Sequence, residues 1–353
     1  MKYEPALDGI RAFAITAVVF FHALPDDLVG GWAGVDVFFV LSGYLITRLL
    51  AEEVRASGTI NFRFFYMRRV LRLGPAFAAL LLFQLLRIAF EGNPVVARQM
   101  LEATAVSATY LINWSRAFAW LPQDVLGHTW SLAMEEQFYL VWPVTLLLLW
   151  KRRPLAWLTA AIVLIVLWRC TLALTGSDPE RTYNGFDTHA DALLIGCVLA
   201  LLPPGAPLLL AARRFSAVPL AGLVAMVLLL PHRTLATQTF GLTLTALLAA
   251  WLVVAASADG WLKSLLSLKP LTYTGRISYG WYLWHFPILI IGLNAGADGS
   301  AWGRAGLVLV AYPVAMASYH VIERPFLALR PRFRTAPTET TTPAPPASAI
   351  QTS

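Results

Sequence analysis

Runs of about 20 mostly apolar residues, the length needed to cross a hydrocarbon core, recur along this chain and leave little room for a soluble fold. Ten are read: 9–25, 33–50, 71–90, 132–150, 155–175, 188–203, 217–231, 239–256, 276–293 and 304–322. Hydrophobic residues make up 58% of the 353 and charged residues 13%, against about 45–50% and about 25% in an average soluble domain. Inside a bilayer each backbone N–H and C=O must be paired within protein. The expectation is therefore all-α: a polytopic integral membrane bundle of about ten transmembrane helices. Segment 99–118 carries Glu102, Asn113, Ser115 and Arg116 and reads as an interfacial helix, not a span.

The net charge of +7 is compatible with nucleic acid or with anionic lipid headgroups as partners. Its placement decides between them. Arg48, Arg55, Arg63, Arg68, Arg69 and Arg72 follow the second run; Lys151, Arg152 and Arg153 the fourth; Arg213 and Arg214 the sixth; Lys263 and Lys269 the eighth; Arg330, Arg332 and Arg334 the tenth. With ten spans and 99–118 not crossing, all these loops fall on one side; if 99–118 crossed, 151–153 and 213–214 would switch. The positive-inside rule then puts both termini in the cytoplasm of a bacterial inner membrane, with lipid and no nucleic acid as partner. Met1–Asp8 holds a single Lys, and no small-residue cleavage site follows, so the first span is expected to stay in the mature protein. Cys170 and Cys197 both lie in apolar runs and suit neither a disulfide framework nor a metal site. Residues 335–353, rich in Pro, Thr and Ala, are expected to be disordered. The division expected is a membrane domain over 1–330 and a cytoplasmic tail over 331–353.

Ionisable residues inside such runs cost about 2.5–3.5 kcal/mol each on insertion scales and usually mark a cavity or a buried pair. Arg11 and His22 lie eleven residues apart on the first run, hence on one helical face and about 16 Å apart along its axis. Either they are a snorkelling cation and a helix-end histidine, or they place a fixed cation and a titratable base at two membrane levels. Asp36 opens the second run, with Ser42 and Gly43 deeper in it; it is either a carboxylate placed for the helix dipole or a functional group. Arg69 and Arg72 share a face at the entrance to the third run, where paired guanidinium groups suit phosphates or lipid headgroups. His128, Trp130, Ser131, Glu135 and Glu136 cluster at the start of the fourth run. Later segments hold His189, Asp191, Arg276, His285, Glu323 and Arg324. There, a hydrogen-bonded buried histidine at 285 and a helix end at Glu323-Arg324 are the simplest readings.

Six segments in order, LDGIRAFAITAVVFFHA, GVDVFFVLSGYLIT, FYMRRVLRLGPAF, WSLAMEEQFYLVWP, ISYGWYLWHFP and IERPF, resemble the membrane-bound acyltransferase 3 family, which includes bacterial O-antigen acetylases. The resemblance spans about residues 5–328. It implies ten spans and transfer of an acyl group, acetyl by default, from cytoplasmic acyl-CoA to a hydroxyl. The acceptor implied is a carbohydrate such as a surface polysaccharide, a lipid-linked saccharide or a glycosylated metabolite. No permanently bound cofactor is implied; acyl-CoA is a co-substrate. The family's arginine–histidine motif matches Arg11 and His22, its donor-binding arginine pair Arg69 and Arg72, its second-span aspartate Asp36. Its tryptophan–serine and glutamate positions match Trp130, Ser131 and Glu136, with Glu135 beside them toward the acceptor. In FDTHADALLIG the resemblance leads one to expect an arginine where His189 stands.

From these roles His22 is the expected base for the acceptor hydroxyl, oriented by Asp36 or Glu136. Arg11 is expected to meet the thioester or a developing negative charge, and Arg69 and Arg72 the CoA phosphates. Direct transfer and a covalent acyl-enzyme both fit. The rival class is a secondary transporter or exporter of a polysaccharide-pathway intermediate, against which stands the lack of paired broken spans in the two halves.

Overall fold

The computed structural model describes residues 3–122, 125–203 and 205–333. In chain order the helices are α1 Pro5–Ala23, α2 Ala33–Ser57, α3 Phe62–Ala89, α4 Pro94–Ala108, α5 Ile112–Ala117, α6 Trp130–Leu149, α7 Pro154–Leu174, α8 Pro179–Asn184, α9 Phe186–His189 and α10 Asp191–Leu201. They continue with α11 Pro207–Arg214, α12 Ala217–Leu229, α13 Leu242–Ser257, α14 Trp261–Leu266, α15 Lys269–Asn294, α16 Ala301–Ser318 and α17 Arg324–Leu327. Among the described residues there is no strand, and the protein is an all-α polytopic membrane bundle.

Seven helical segments are long and apolar enough to cross a membrane: α1, α2, α3, α6 with the turn before it, α7, α13 with its preceding turn, and α16 through α17. Of the other three runs read as spans, α10 and α12 are apolar but only 11 and 13 residues long. The third, α15, has 26 residues but interrupts its apolar face with Thr272, Arg276, Ser278 and His285. The 99–118 region is broken into α4 and α5 by Tyr110, whose φ of 55° ends the first helix in the left-handed region.

Burial separates lining helices from outer ones. α7 buries only Leu158 and Arg169 and turns Leu164, Leu167 and Trp168 outward, as a lipid-facing helix must. α1, α2, α10 and α15 form the centre. At the α2–α10 contact the backbones nearly touch: a Cβ at Gly43 would lie 2.0 Å from the Leu193 oxygen, and one at Gly196 would lie 2.2 Å from that of Val40. Small residues allow this approach, which is the main attraction between helices where lipid replaces water.

Arg169 is the one charge of α7's inner face, and it is spent entirely inside. Its nitrogens donate to both Asp191 carboxylate oxygens (2.7 and 3.1 Å), to the Thr188 and Gln238 carbonyls (2.7 and 2.9 Å) and to Thr243 Oγ1 (2.5 Å). A bidentate, fully bonded pair is the form in which an intramembrane charge is tolerable. Cys197 is buried and Cys170 half-buried, and both are free. Within the segment expected to be a disordered tail, residues 331–333 instead join a 3-10 turn on α3, where Arg68 Nη1 donates to the Phe333 carbonyl at 2.5 Å. Residues 334–353 lie outside the described residues.

Candidate active site

α1, α2, α3, α6 and α15 enclose a cleft with about 1360 Å³ of empty space, its mouth included. It runs along α1 from Glu4 to Val18, about 21 Å at 1.5 Å per residue. Tyr3, Glu4 and Arg330 stand at one end; Val18, Phe38, Ser131 and Tyr282 stand at the other.

Arg11, Arg69 and Arg72 all line this cleft. Arg11 is held by Asp8, one turn earlier, at 2.5 Å. Arg69 is 9% exposed, and its guanidinium carbon lies 5.6 Å from the centre of the Tyr139 ring. Its buried Nε has no hydrogen-bond partner. No ion pair is formed by Arg69 or Arg72 among the described residues, so two guanidinium groups face the cleft without a direct carboxylate contact. α3 begins earlier than the third apolar run, which places this pair a full two turns inside the helix. Its helical spacing of three aims both at one space.

Glu135 is the opposing charge. Tyr139 donates to Ser42 Oγ (2.9 Å), and Ser42 donates to Glu135 Oε1 (2.5 Å). All three line the cleft, and the Glu135 carboxylate feels Arg72, Arg69 and Arg11.

At the far end lies His22. Its Nδ1 is 3.0 Å from the Val18 carbonyl oxygen and 3.2 Å from His285 Nε2. His285 Nδ1 faces the Tyr282 and Trp281 carbonyls at 2.7 and 3.1 Å. A carbonyl only accepts, so His285 carries its proton on Nδ1 and offers a bare Nε2. The Nδ1 proton of His22 is then shared between the Val18 carbonyl and His285. His22 Nε2 keeps its lone pair and has no partner among the described residues. This is the geometry of a poised base whose tautomer is fixed by a neighbour. The same end holds Ser131, which donates to the Tyr282 hydroxyl at 2.8 Å, while Tyr282 donates to the His128 carbonyl. His128 and His285 rings lie 5.6 Å apart.

The arrangement is a largely apolar cleft with Arg11, Arg69, Arg72 and Glu135 in its lining and a basic imidazole beyond its inner end. Comparison with known proteins places it. A family described as an acyltransferase domain (acyltransferase 3) matches residues 4–320. The chain belongs to the acyltransferase 3 family. It is 34% identical over 348 residues to the peptidoglycan O-acetyltransferase OatA of Listeria monocytogenes, covering 92% of this chain and 56% of that one. It is 32% identical over 346 residues to the O-acetyltransferase OatA of Staphylococcus aureus, covering 92% and 57%. The chain thus spans a little over half the length of these curated relatives. No solved structure matches it.

Within this acyltransferase 3 chain, several expected roles move. Asp36 does not orient His22. Its Oδ1 lies 2.9 Å from His189 Nε2: Asp36 sits on the face of α2 turned toward α10, while Gly34, on another face, brings the same helix against Ala14 and Val18 of α1. Nor does Glu136 orient it; Glu136 is outside the cleft lining, with its charge acting on Arg69, Tyr110 and Tyr279. His285 is, as expected, a buried histidine with both ring nitrogens hydrogen-bonded, and one of those partners is His22. Trp130 does not line the cleft either. It lies near-parallel to the His189 ring (6.0 Å, 23°) and edge-on to Phe39 (6.1 Å, 89°). Of the pair proposed with it, Ser131 and Glu135 do reach the cleft.

His189 stands where an arginine was expected. Its Nδ1 lies 2.7 Å from the Tyr183 carbonyl and its Nε2 2.9 Å from Asp36. The Nδ1 proton goes to the Tyr183 carbonyl, and Nε2 pairs with the Asp36 carboxyl in the place where an arginine was expected. Sequence reasoning missed Arg169, although a single arginine in a strongly apolar run is itself a signal. Among the described residues no group of three or more His, Cys, Asp or Glu is placed to hold a metal ion.

Proposed function

We propose that the protein is an acyl-CoA-dependent O-acyltransferase of a bacterial inner membrane, moving an acetyl group to a carbohydrate hydroxyl. The observation that carries this reading is the Arg69–Arg72 pair, free of direct carboxylate contact, lining a cleft whose inner end abuts the His22–His285 pair. Arg69 and Arg72 hold the phosphates of CoA, for which paired guanidinium forks are suited. The acyl arm runs inward past Arg11. The names of the relatives support acetyl as the group and a cell-wall glycan as the acceptor. The arginine-rich loops support an orientation with both termini, and the cleft mouth, in the cytoplasm.

In the transfer, His22 Nε2 takes the proton of the acceptor hydroxyl as its oxygen attacks the thioester carbon. The new C–O bond forms, the C–S bond breaks, and the CoA thiolate leaves and recovers a proton. His285 Nε2 accepts the Nδ1 hydrogen of the resulting imidazolium, the part first given to Asp36 or Glu136. An acyl-enzyme route would use His22 in the same capacity.

The test is acetyl transfer from radiolabelled acetyl-CoA to glycan in vesicles carrying His22→Ala, Arg69→Ala or the unaltered protein. Loss of transfer in the variants at equal protein level is expected. Equal activity in all three would sink the proposal.

A further inference from the structure

A second cleft opens at the other end of the bundle, with about 1020 Å³ of empty space. Its lining includes Ser115, Arg116, Phe118, Gly127, Asp178 and Glu180. Arg116 forms the floor, donating Nη1 to the Gly127 carbonyl (3.3 Å) and Nη2 to Glu180 Oε2 (2.8 Å). Its Nε is buried without a partner. Glu180 also accepts from Asn184 (2.9 Å) and from Arg233. The next residue after Gly127 is His128, and the charge of Arg116 acts on His22. The floor of this cleft therefore backs onto the histidine end of the first one.

The rim is aromatic and ordered. Phe118 lines the cleft, and Trp114 and Trp120 flank it, their rings within 12° and 16° of its plane and their centroids 5.9 and 6.1 Å away. Phe118 and Trp120 are 52% and 56% exposed. Arg181, held by Asp187 at 2.5 Å, sets its guanidinium 5.1 Å from the Phe118 ring and 5.9 Å from that of Trp114. Between the two exposed rings Ala119 takes a φ of 50°, a left-handed conformation that an alanine disfavours. The chain thus carries local strain where the two exposed rings are set.

Parallel exposed rings beside carboxylate and guanidinium groups are the chemistry that recognises a saccharide. The C–H faces of pyranose rings stack on the aromatics, and their hydroxyls bond to the charged groups below. We propose that this cleft is the acceptor site, with Phe118 and Trp120 as a stacking platform for successive sugar rings of a glycan chain and Arg116 and Glu180 as hydroxyl partners. This rests on the acyl-transfer reading above for its role, but not for its binding. Anchoring in lipid headgroups, the ordinary duty of interfacial Trp, needs neither the parallel set nor the charged cleft beside it.

The experiment measures binding of chitopentaose, a soluble β-linked N-acetylhexosamine oligomer, to the full chain in detergent by saturation-transfer NMR, with no donor present. Phe118→Ala and Trp120→Ala are expected to weaken binding at least tenfold, with Trp120→Phe restoring much of it. Trp302→Ala, an 88% exposed aromatic elsewhere, is expected to bind as the unaltered protein does. The acceptor KM, read in the transfer assay, should rise in parallel. Unaltered binding in both platform variants, a loss shared by Trp302→Ala, or no binding by the unaltered protein would overturn the assignment. Binding without any acetyl transfer from acetyl-CoA would instead overturn the reaction and leave the site.

Discussion

His285 Nε2 lies 3.2 Å from His22 Nδ1, joining α15 to α1 across the inner end of the cleft. The contact makes His285 a positioning residue for the base. His285→Ala should lower kcat by about 10²-fold, in the range that general-base catalysis supplies, with little change in donor KM. His285→Gln, which can still accept from His22, should recover part of it. Solid-state 15N shifts of His22 provide the readout that a purely structural role would not move. An Nδ1-protonated His22 is expected in the unaltered protein and a tautomer mixture in His285→Ala.

Arg69 and Arg72 form no direct ion pair among the described residues, but their charges act on the buried Glu135, and that of Arg69 on Glu136. Each Ala variant should lower thermal stability modestly and raise the acetyl-CoA KM by about 10-fold to 100-fold, the worth of a charge-assisted hydrogen bond or two. Arg72→Lys should recover less than its retained charge suggests, because a point charge cannot bind a phosphate bidentately. Initial rates against acetyl-CoA concentration in vesicles check this.

The Arg169–Asp191 pair gives the opposite pattern. Asp191→Ala strands a fully buried guanidinium and should cost about 3–5 kcal/mol, seen as loss of folded protein in detergent melting curves. Replacing both, with Arg169→Met and Asp191→Leu, should restore much of the stability, since the pair itself contributes little beyond its own desolvation.

At Gly43 a methyl group would meet the Leu193 carbonyl oxygen at 2.0 Å. Gly43→Ala must push α2 from α10 and should lower the melting temperature, while also disturbing the Asp36–His189 contact held by the same two helices. Gly58, which meets nothing within 4 Å but has a φ of 75°, serves as a contrast: its Ala variant is strained locally without parting any helices.

Outside the spans, burial raises the Glu180 carboxyl pKa, but Arg116 and Arg233 outweigh it and hold the group below its ordinary value of 4.5. The folded state thus binds its proton less readily than the unfolded one. This contribution to stability is complete above the ordinary carboxylate range and is lost as pH falls through the lowered value. Melting temperature should drop below about pH 4.5 in the unaltered protein, and Glu180→Gln should flatten that part of the curve.

Composition and apolar run length alone determined that this chain is helical and lives in a membrane, because a bilayer accepts few other backbones. Motif order alone pointed to the family. Helical spacing put Arg69 with Arg72, and Arg11 in line with His22, since those relations are internal to one helix. Pairings between helices were another matter. Asp36, fourteen residues from His22 in sequence, was one of two carboxylates expected to orient it; Gly43 and Gly196 instead seat α2 on α10 and give Asp36 to His189. His285, 263 residues from His22, took the vacant role. Periodicity fixes which face a side chain occupies, whereas which helix covers that face depends on close packing of small residues summed over the whole bundle, and only the tertiary structure decides it.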